Sequence, residues 1–476
     1  MFSVTLRIIL SGLAEGIYFV ILSCAGVLTW PRSNILKVSI KNCFIIIIIL
    51  NKSPSREDVN IFIIYKLNRA GHCSRRTFNY FCVCMRVLYG LDVVTRDLPA
   101  GLRGKNLGIL CHASSISRDF RHISEIFAGR NDCRLAALFG PQHGLSGQTQ
   151  DNMIEWESNS DPASGIHVYS LYGEHRKPTS AMLEGIEVLV ADLQDVGARL
   201  YTYVWTIKLC MEACTEAGIP LWILDRPNPI GRMQVDGPVL DEEYFTFVGG
   251  ACIPLCHRMT IGEMALWLKE KYYPGCELHL IRAEGWHRNM MFNETGLPWV
   301  LPSPNMPTQQ TAAVYPGTVL AEALNVSEGR GTVIPFELLG APWIDGPALL
   351  REMRSRHLPG CSFRMHDFIP TFNKYSGEYC RGIQIHVTDL SLYRPVVTAL
   401  HLFDAMIRTS PQGALEFNPP PYEYEYRLMP FDILSGDSHM REVLTKGLSL
   451  RDETERWEAG TAGFLDDFRQ IALYKD

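Results

Sequence analysis

The sequence predicts an α/β protein built on a parallel sheet covered on both faces by helices. Two observations carry this. Four short apolar runs recur at the spacing of βα units, and each run ends in a cluster of polar side chains rather than at a hairpin turn. Apolar on both faces is the pattern of strands buried in a parallel sheet, and their C-terminal ends are where open α/β sheets bind ligands.

In chain order, the first run is NLGILC at 106–111, leading to His112, Ser114 and Ser115. A helical pattern at 120–128 follows, then the run CRLAALF at 133–139, which opens into Gly140-Pro141-Gln142-His143-Gly144. A further helical pattern at 179–185 precedes the apolar stretch 187–193, after which come Gln194, Asp195, Arg199, Tyr201 and Tyr203. A helix at 206–217 and the run IPLWIL at 219–224 lead to Asp225, Arg226 and Asn228. From Thr311 onward the chain reads as a smaller α/β unit, with a strand at 380–387 and helices at 393–406 and 440–446. Residues 418–426, with three prolines and three tyrosines, read as a loop that either lines a groove or packs internally.

Residues 1–84 stand apart, carrying 10 Lys/Arg against 3 Asp/Glu, so that a net charge of −6 hides −13 on the remainder. An acidic body argues against nucleic acid as a partner. Three readings of the extension stay open: a secretory or lipoprotein signal around Ile21-Leu22-Ser23-Cys24, a membrane anchor, or a translation start at Met85. The protein is cytoplasmic under the last reading and belongs to the periplasm or cell envelope under the first two. Of 14 cysteines, five precede Met85, and the odd, scattered remainder fits reduced thiols better than a disulfide framework. Cys252, Cys256 and His257 lack a second paired cluster, so no metal is expected. There is no GxGxxG after the first strand, no GxxxxGK[ST] and no GxSxG, so no nucleotide cofactor or serine nucleophile is expected.

Eight motifs give the chain a family resemblance: FGPQHG (139–144), SLYGEHRKPTSAML (170–183), LQDVGARLYTY (193–203), LDRPNPIGR (224–232), MTIGE (259–263), WVLPSPNMPT (299–308), YPGT (315–318) and NVSEGRGTVIPFELLGAPW (325–343). In this order they resemble the exo-β-N-acetylmuramidases. The resemblance implies a glycoside hydrolase releasing N-acetylmuramic acid from the non-reducing end of peptidoglycan fragments. It also implies a Rossmann-like catalytic domain, 85–312, and a smaller C-terminal α/β domain, 313–476, with the site in the cleft between them. Its partner would be a muramyl sugar or peptidoglycan-derived oligosaccharide, with no protein partner evident.

Hydrolysis of a glycoside needs a proton for the leaving oxygen and a second group to stabilise the oxocarbenium-like centre. Where the family reads P-E-H-G this chain has Gln142, and an amide has no titratable proton to give. Either another edge-loop group supplies the proton, His143 and Glu174 being the nearest, or the chain is a weakened or inactive homologue that binds the sugar. Asp195 reads either as a carboxylate stabilising positive charge or as an N-cap for a helix starting near Ala198. Arg199 and Tyr201 suit a sugar bearing a lactyl carboxylate, the guanidinium gripping it and the ring packing on the sugar. Ser114, Gln194, Asp225, Arg226 and Asn228 complete the near rim, and Ser303, Asn305, Glu328 and Arg330 face it from the far side. Arg258 stands where the family has glycine, which strains the backbone if that position has positive φ.

Overall fold

The computed structural model divides at Arg86/Val87 into two units. It describes residues 87–151 and 153–475, and before them only the strands Gly12–Leu13, Ile17–Val20, Ile45–Lys52, Val59–Lys66 and Phe81–Val83, paired antiparallel in that order. The signal, anchor and start-site readings lie outside the described residues. No helix among the described residues is long and apolar enough to cross a membrane.

From Val87 the chain builds a seven-stranded sheet. Its strands are β1 (Asn106–Cys111), β2 (Arg134–Gly140), β3 (Asn159–Ser160), β4 (His167–Ser170), β5 (Val188–Asp192), β6 (Leu221–Leu224) and, later in the chain, β9 (Leu278–Ile281). The order across the sheet is β9-β6-β5-β1-β2-β4-β3, with only the short edge strand β3 antiparallel. Counting the six parallel strands in chain order gives 3-2-1-4-5-6 across the sheet, the order of dinucleotide-binding folds. The order reverses between β1 and β5, so the loops after these two strands open the crevice. Both faces are covered, as alternate residues of β5 show. Leu189 and Ala191 join the core beneath α3 (Tyr203–Ala217) and α4 (Ile261–Tyr272), while Val188 and Val190 join the core of α1 (Gly90–Arg96) and α2 (Ile123–Ala128).

Local sequence explains most helix ends. Thr260 and Glu263 of the MTIGE motif form a capping box at the start of α4. Gly218, at φ 66°, ends α3 in a left-handed cap. The helix expected at 179–185 is a set of turns instead. Pro178 precedes it and Gly185 (φ 77°) closes it, leaving room for one four-residue-spaced bond, Leu183 N–H to Thr179 O, beside the tighter turn bonds Glu184 N–H to Ala181 O and Ile186 N–H to Leu183 O.

Two strands, β7 (Asp236–Val239) and β8 (Pro254–Cys256), pair antiparallel between the sheet and the C-terminal part. That part holds a three-stranded antiparallel sheet, β10 (Leu338–Ala341), β12 (Arg381–Val387) and β11 (Cys361–Met365), in that order. Around it lie α5 (Gln309–Thr318), α6 (Gly346–Ser355), α7 (Pro395–Thr409), α8 (Pro430–Ser435), α9 (His439–Lys446) and the 22-residue α10 (Leu450–Ile471). Its apolar side chains, Val396, Leu400 and Phe403 among them, belong to the same core as Leu193 and Trp205, so the two parts are packed together. The nine cysteines from Cys111 to Cys380 are free thiols, and no group of three potential ligands among the described residues could hold a metal ion.

Candidate active site

The loop after β2 places Gln142 and His143 at the sheet edge. Gln142 is buried, and its Oε1 accepts a 2.6 Å hydrogen bond from the Thr202 hydroxyl, which leaves the amide NH2 as a donor. His143 sits at φ 70° and its Nδ1 is 2.7 Å from the Thr149 carbonyl. A carbonyl can only accept, so Nδ1 carries the proton and Nε2 presents a lone pair. Burial holds the ring well below its ordinary range, at about 4, so near neutrality His143 is an uncharged ring with no acidic proton at Nε2 to supply.

After β1, His112 is the brace. Its Nδ1 donates to the Pro302 carbonyl at 3.0 Å, while Nε2 accepts from Gln194 N–H and the Ser114 hydroxyl, each at 2.9 Å. Tyr203 donates to the same carbonyl at 2.5 Å. These bonds pin the 299–308 loop over the strand ends and present Ser303 and Asn305. Ser114 and Gln194 themselves line, with Arg226, a separate hollow of about 10 Å³, room for about one water and too small for a sugar ring.

Several residues read as rim are structural. Arg199 is fully buried and donates to four backbone carbonyls, those of Pro238, Ile253, Leu434 and Ser435. It stands outside the cleft and cannot grip a lactyl group; its position after the strand end turns it inward to gather β7, β8 and α8. Arg226 is a buried partner of Asp192, with Nε to Oδ1 at 2.5 Å, and does not pair with its neighbour Asp225. Asp225 accepts from Thr260, Gly262 and Tyr474, tying α4 and the chain's last residues to the sheet. Asn228 bonds the Met259 carbonyl and Ile230 N–H, closing its own loop. Glu174 lies on the surface, its side chain 89% exposed, away from the cleft.

Asp195 is a different case. Helix α3 begins at Tyr203 with Thr202 at its N-cap position, so Asp195 does not cap it; its Oδ2 accepts from Gly197 N–H at 2.6 Å in a tight turn. Gly197 has φ 77°, and a Cβ there would meet the Asn228 amide at 2.6 Å. Asp195 is buried 3.8 Å from His257 Nε2, with its Oδ1 unbonded among the described residues. Burial pushes its carboxyl up to about 7. A carboxyl raised on folding contributes stability that is complete below about pH 4, its unfolded range, and is lost as pH climbs through 7. Asp195→Asn is therefore expected to gain on the native protein steadily between pH 5 and 8, as denaturant unfolding at both pH values would reveal.

What remains forms one cleft of about 550 Å³, counted to its open mouth. Gln142, His143, Tyr201, Thr202, Ser303 and Asn305 line one side, and Tyr315, Glu322, Arg330, Tyr422 and Glu423 the other. Tyr201, Tyr315 and Phe336 make an edge-to-face aromatic wall, with ring centres 5.8 and 4.8 Å apart. Arg330 bonds Glu322 at 2.6 Å and stands 3.1 Å from Glu328. Glu328 itself faces the neighbouring hollow, where Lys374 reaches it at 3.2 Å; against the effect of burial, Lys374 and Arg330 hold its carboxyl below the usual range. Arg258 has φ 66°, so it does stand in a conformation that favours glycine.

Sequence reasoning missed Thr202, Tyr315, Glu322, Tyr422 and Glu423. Thr202 and Tyr315 stand inside quoted motifs, and Glu322 lies three residues before one. Glu423 lies in the proline- and tyrosine-rich loop already read as a possible groove lining.

Fold and cleft together define a two-domain α/β protein whose pocket gathers carboxyls, an amide and aromatic rings. The chain belongs to the exo-β-N-acetylmuramidase NamZ family: the model of that family's N-terminal domain matches residues 107–310 and that of its C-terminal domain residues 313–474. It is 39% identical over 389 residues to the peptidoglycan β-N-acetylmuramidase NamZ of Bacillus subtilis (strain 168), covering 82% of this chain and 92% of that protein. Crystal structures of two DUF1343 family proteins from Bacteroides fragilis superpose with TM-scores of 0.74 and 0.64 at 30% and 28% identity. Each match covers 82% of this chain and 100% or 99% of the other.

Proposed function

We propose that this protein is an exo-β-N-acetylmuramidase, removing N-acetylmuramic acid from the non-reducing end of peptidoglycan fragments in the cleft between its two domains. The observation that carries the reading is the convergence, in one cleft, of Gln142 and Thr202 from the sheet edge with Glu322, Arg330 and Glu423 from the C-terminal part. Two carboxyls flanking a bound sugar are what glycoside hydrolysis requires. The amide of Gln142, oriented by Thr202, supplies a fixed hydrogen-bond donor to the sugar. With Arg199 turned inward, Arg330, held in place by Glu322 and Glu328, is the arginine among the lining residues that a lactyl carboxylate would meet.

A second reading, a homologue that binds muramyl sugars and cleaves them slowly or not at all, rests on Gln142 alone. One assay separates the two. The purified protein is given the natural disaccharide, N-acetylmuramic acid on N-acetylglucosamine, and an aryl N-acetylmuraminide, with the matching N-acetylglucosaminides as controls. Release of N-acetylmuramic acid from the first two, and little from the controls, is the expected result. Binding without release from either muramyl substrate would establish the second reading, and equal release from the controls would overturn the proposed specificity.

A further inference from the structure

A glycosidase cleft in which an amide occupies the expected acid position must draw its proton from elsewhere. The carboxyls near the cleft differ sharply in what surrounds them. Glu322 faces the cleft but accepts from Arg330 and from the Tyr422 hydroxyl, both at 2.6 Å, a setting made for a carboxylate. Glu328 opens on the neighbouring hollow, and Asp195 does not line the cleft. Glu423 lines it, is 5% exposed, and makes no ion pair among the described residues. Its carboxyl accepts from one phenol, the Tyr172 hydroxyl, at 3.1 and 3.3 Å.

The backbone holds Glu423 there at a cost. Tyr422 and Glu425 exchange both backbone hydrogen bonds at 2.9 Å, closing a two-residue turn whose central residues, Glu423 and Tyr424, have φ 45° and 67°. Turns with two positive φ values ordinarily take Asn-Gly, and bulky residues in such conformations gather at functional sites. The turn is also clasped by the sheet domain: Tyr424 donates to Glu155 at 2.9 Å, and Arg176 lies over the Tyr172 ring at 4.0 Å and near that of Tyr424 at 5.2 Å.

We infer that Glu423 is the general acid of this enzyme, presented to the glycosidic oxygen by the 422–425 turn and positioned by Tyr172. The inference rests on the muramidase reading above. In the step, the Glu423 proton passes to the glycosidic oxygen and the bond from the muramic C1 to that oxygen breaks, its electron pair staying on the leaving sugar. Water then supplies oxygen to C1, and the proton it loses restores Glu423, so that one water is consumed and the residue is unchanged. The groups facing Glu423 are Tyr172 and Arg176 from the loop after β4, Tyr315 from α5, Glu322, Arg330, and its neighbours Tyr422 and Tyr424. Burial prevails among them and pushes the Glu423 carboxyl up to about 7, with Tyr172 and Arg176 pulling down and Glu322 pushing up. A proton is therefore held up to neutral pH, which is the range in which an acid catalyst is useful.

The test measures kcat/KM against pH for the native protein, Glu423→Gln and Tyr172→Phe, on the natural disaccharide and the aryl glycoside, with melting curves to confirm folding. The native profile on the disaccharide should fall on the alkaline side with a midpoint near 7. Glu423→Gln should lose about a hundredfold to ten-thousandfold on the disaccharide, lose far less on the aryl glycoside, whose leaving group needs little protonation, and show no alkaline limb. Tyr172→Phe, which leaves Glu423 in place but removes the hydrogen bond favouring its anion, should move the limb to higher pH. Equal losses on both substrates in Glu423→Gln, or an alkaline limb indifferent to both substitutions, would overturn the assignment while leaving the muramidase reading intact. A native protein that turns over neither substrate would sink that reading and the assignment with it.

Discussion

Gln142→Glu is expected to raise hydrolysis of both the natural disaccharide and the aryl muraminide, by about a hundredfold on each. The Thr202 hydroxyl already donates to Oε1 of residue 142, and it can hold a carboxylate of nearly the same shape in the same place. With Glu423 as the acid, a carboxylate at 142 acts on the oxocarbenium-like centre, and fixed charge at such a centre is worth roughly two to three orders of magnitude. That centre is common to both substrates, so both should gain. The new charge also disfavours the Glu423 anion, so the alkaline limb should move upward rather than down. Paired kcat/KM values and pH profiles check this. A gain confined to the disaccharide would mean that position 142 protonates the leaving oxygen, and the acid would have to be moved there from Glu423.

Arg199→Ala is expected to cost stability rather than specificity. Four buried carbonyls lose a charged donor together, and at about 1 kcal/mol or more for each buried group left unpaired the loss is about 4 kcal/mol or more. That is a large part of the total stability of a typical folded domain, so the variant should melt far earlier and express poorly. Burial already presses on this guanidinium, lowering it to about 9. At a temperature where the variant is still folded, its relative rates on muramic-acid and N-acetylglucosamine substrates should match those of the native protein. A selective loss on the muramic substrate with an unchanged melt would return Arg199 to the lactyl group.

The two substitutions mark the line between what the sequence by itself determined and what only the tertiary structure decided. Strand positions were legible because a parallel strand must be apolar on both faces, so β1, β2, β5 and β6 stand out within a residue or two of their bounds, and the polar loops after them follow from chain direction alone. The family was legible because long motifs fall at those loops. Even the backbone at residue 258 could be framed in advance, since arginine in place of glycine matters only at positive φ, and its φ is 66°. Which polar side chain faces the cleft was not legible. Arg199, Asp225 and Arg226 follow strands as Gln142 does, yet Arg199 is spent on carbonyls delivered in part by α8, Asp225 on N–H and hydroxyl donors of α4 and its cap, and Arg226 on the Asp192 carboxylate of the strand beside it. Nothing local distinguishes a guanidinium that will meet a ligand from one that will meet a distant backbone. For the same reason Glu423 stayed hidden: its partner Tyr172 lies 251 residues away, and the burial that raises its carboxyl is a property of the assembled core and of no segment of the chain.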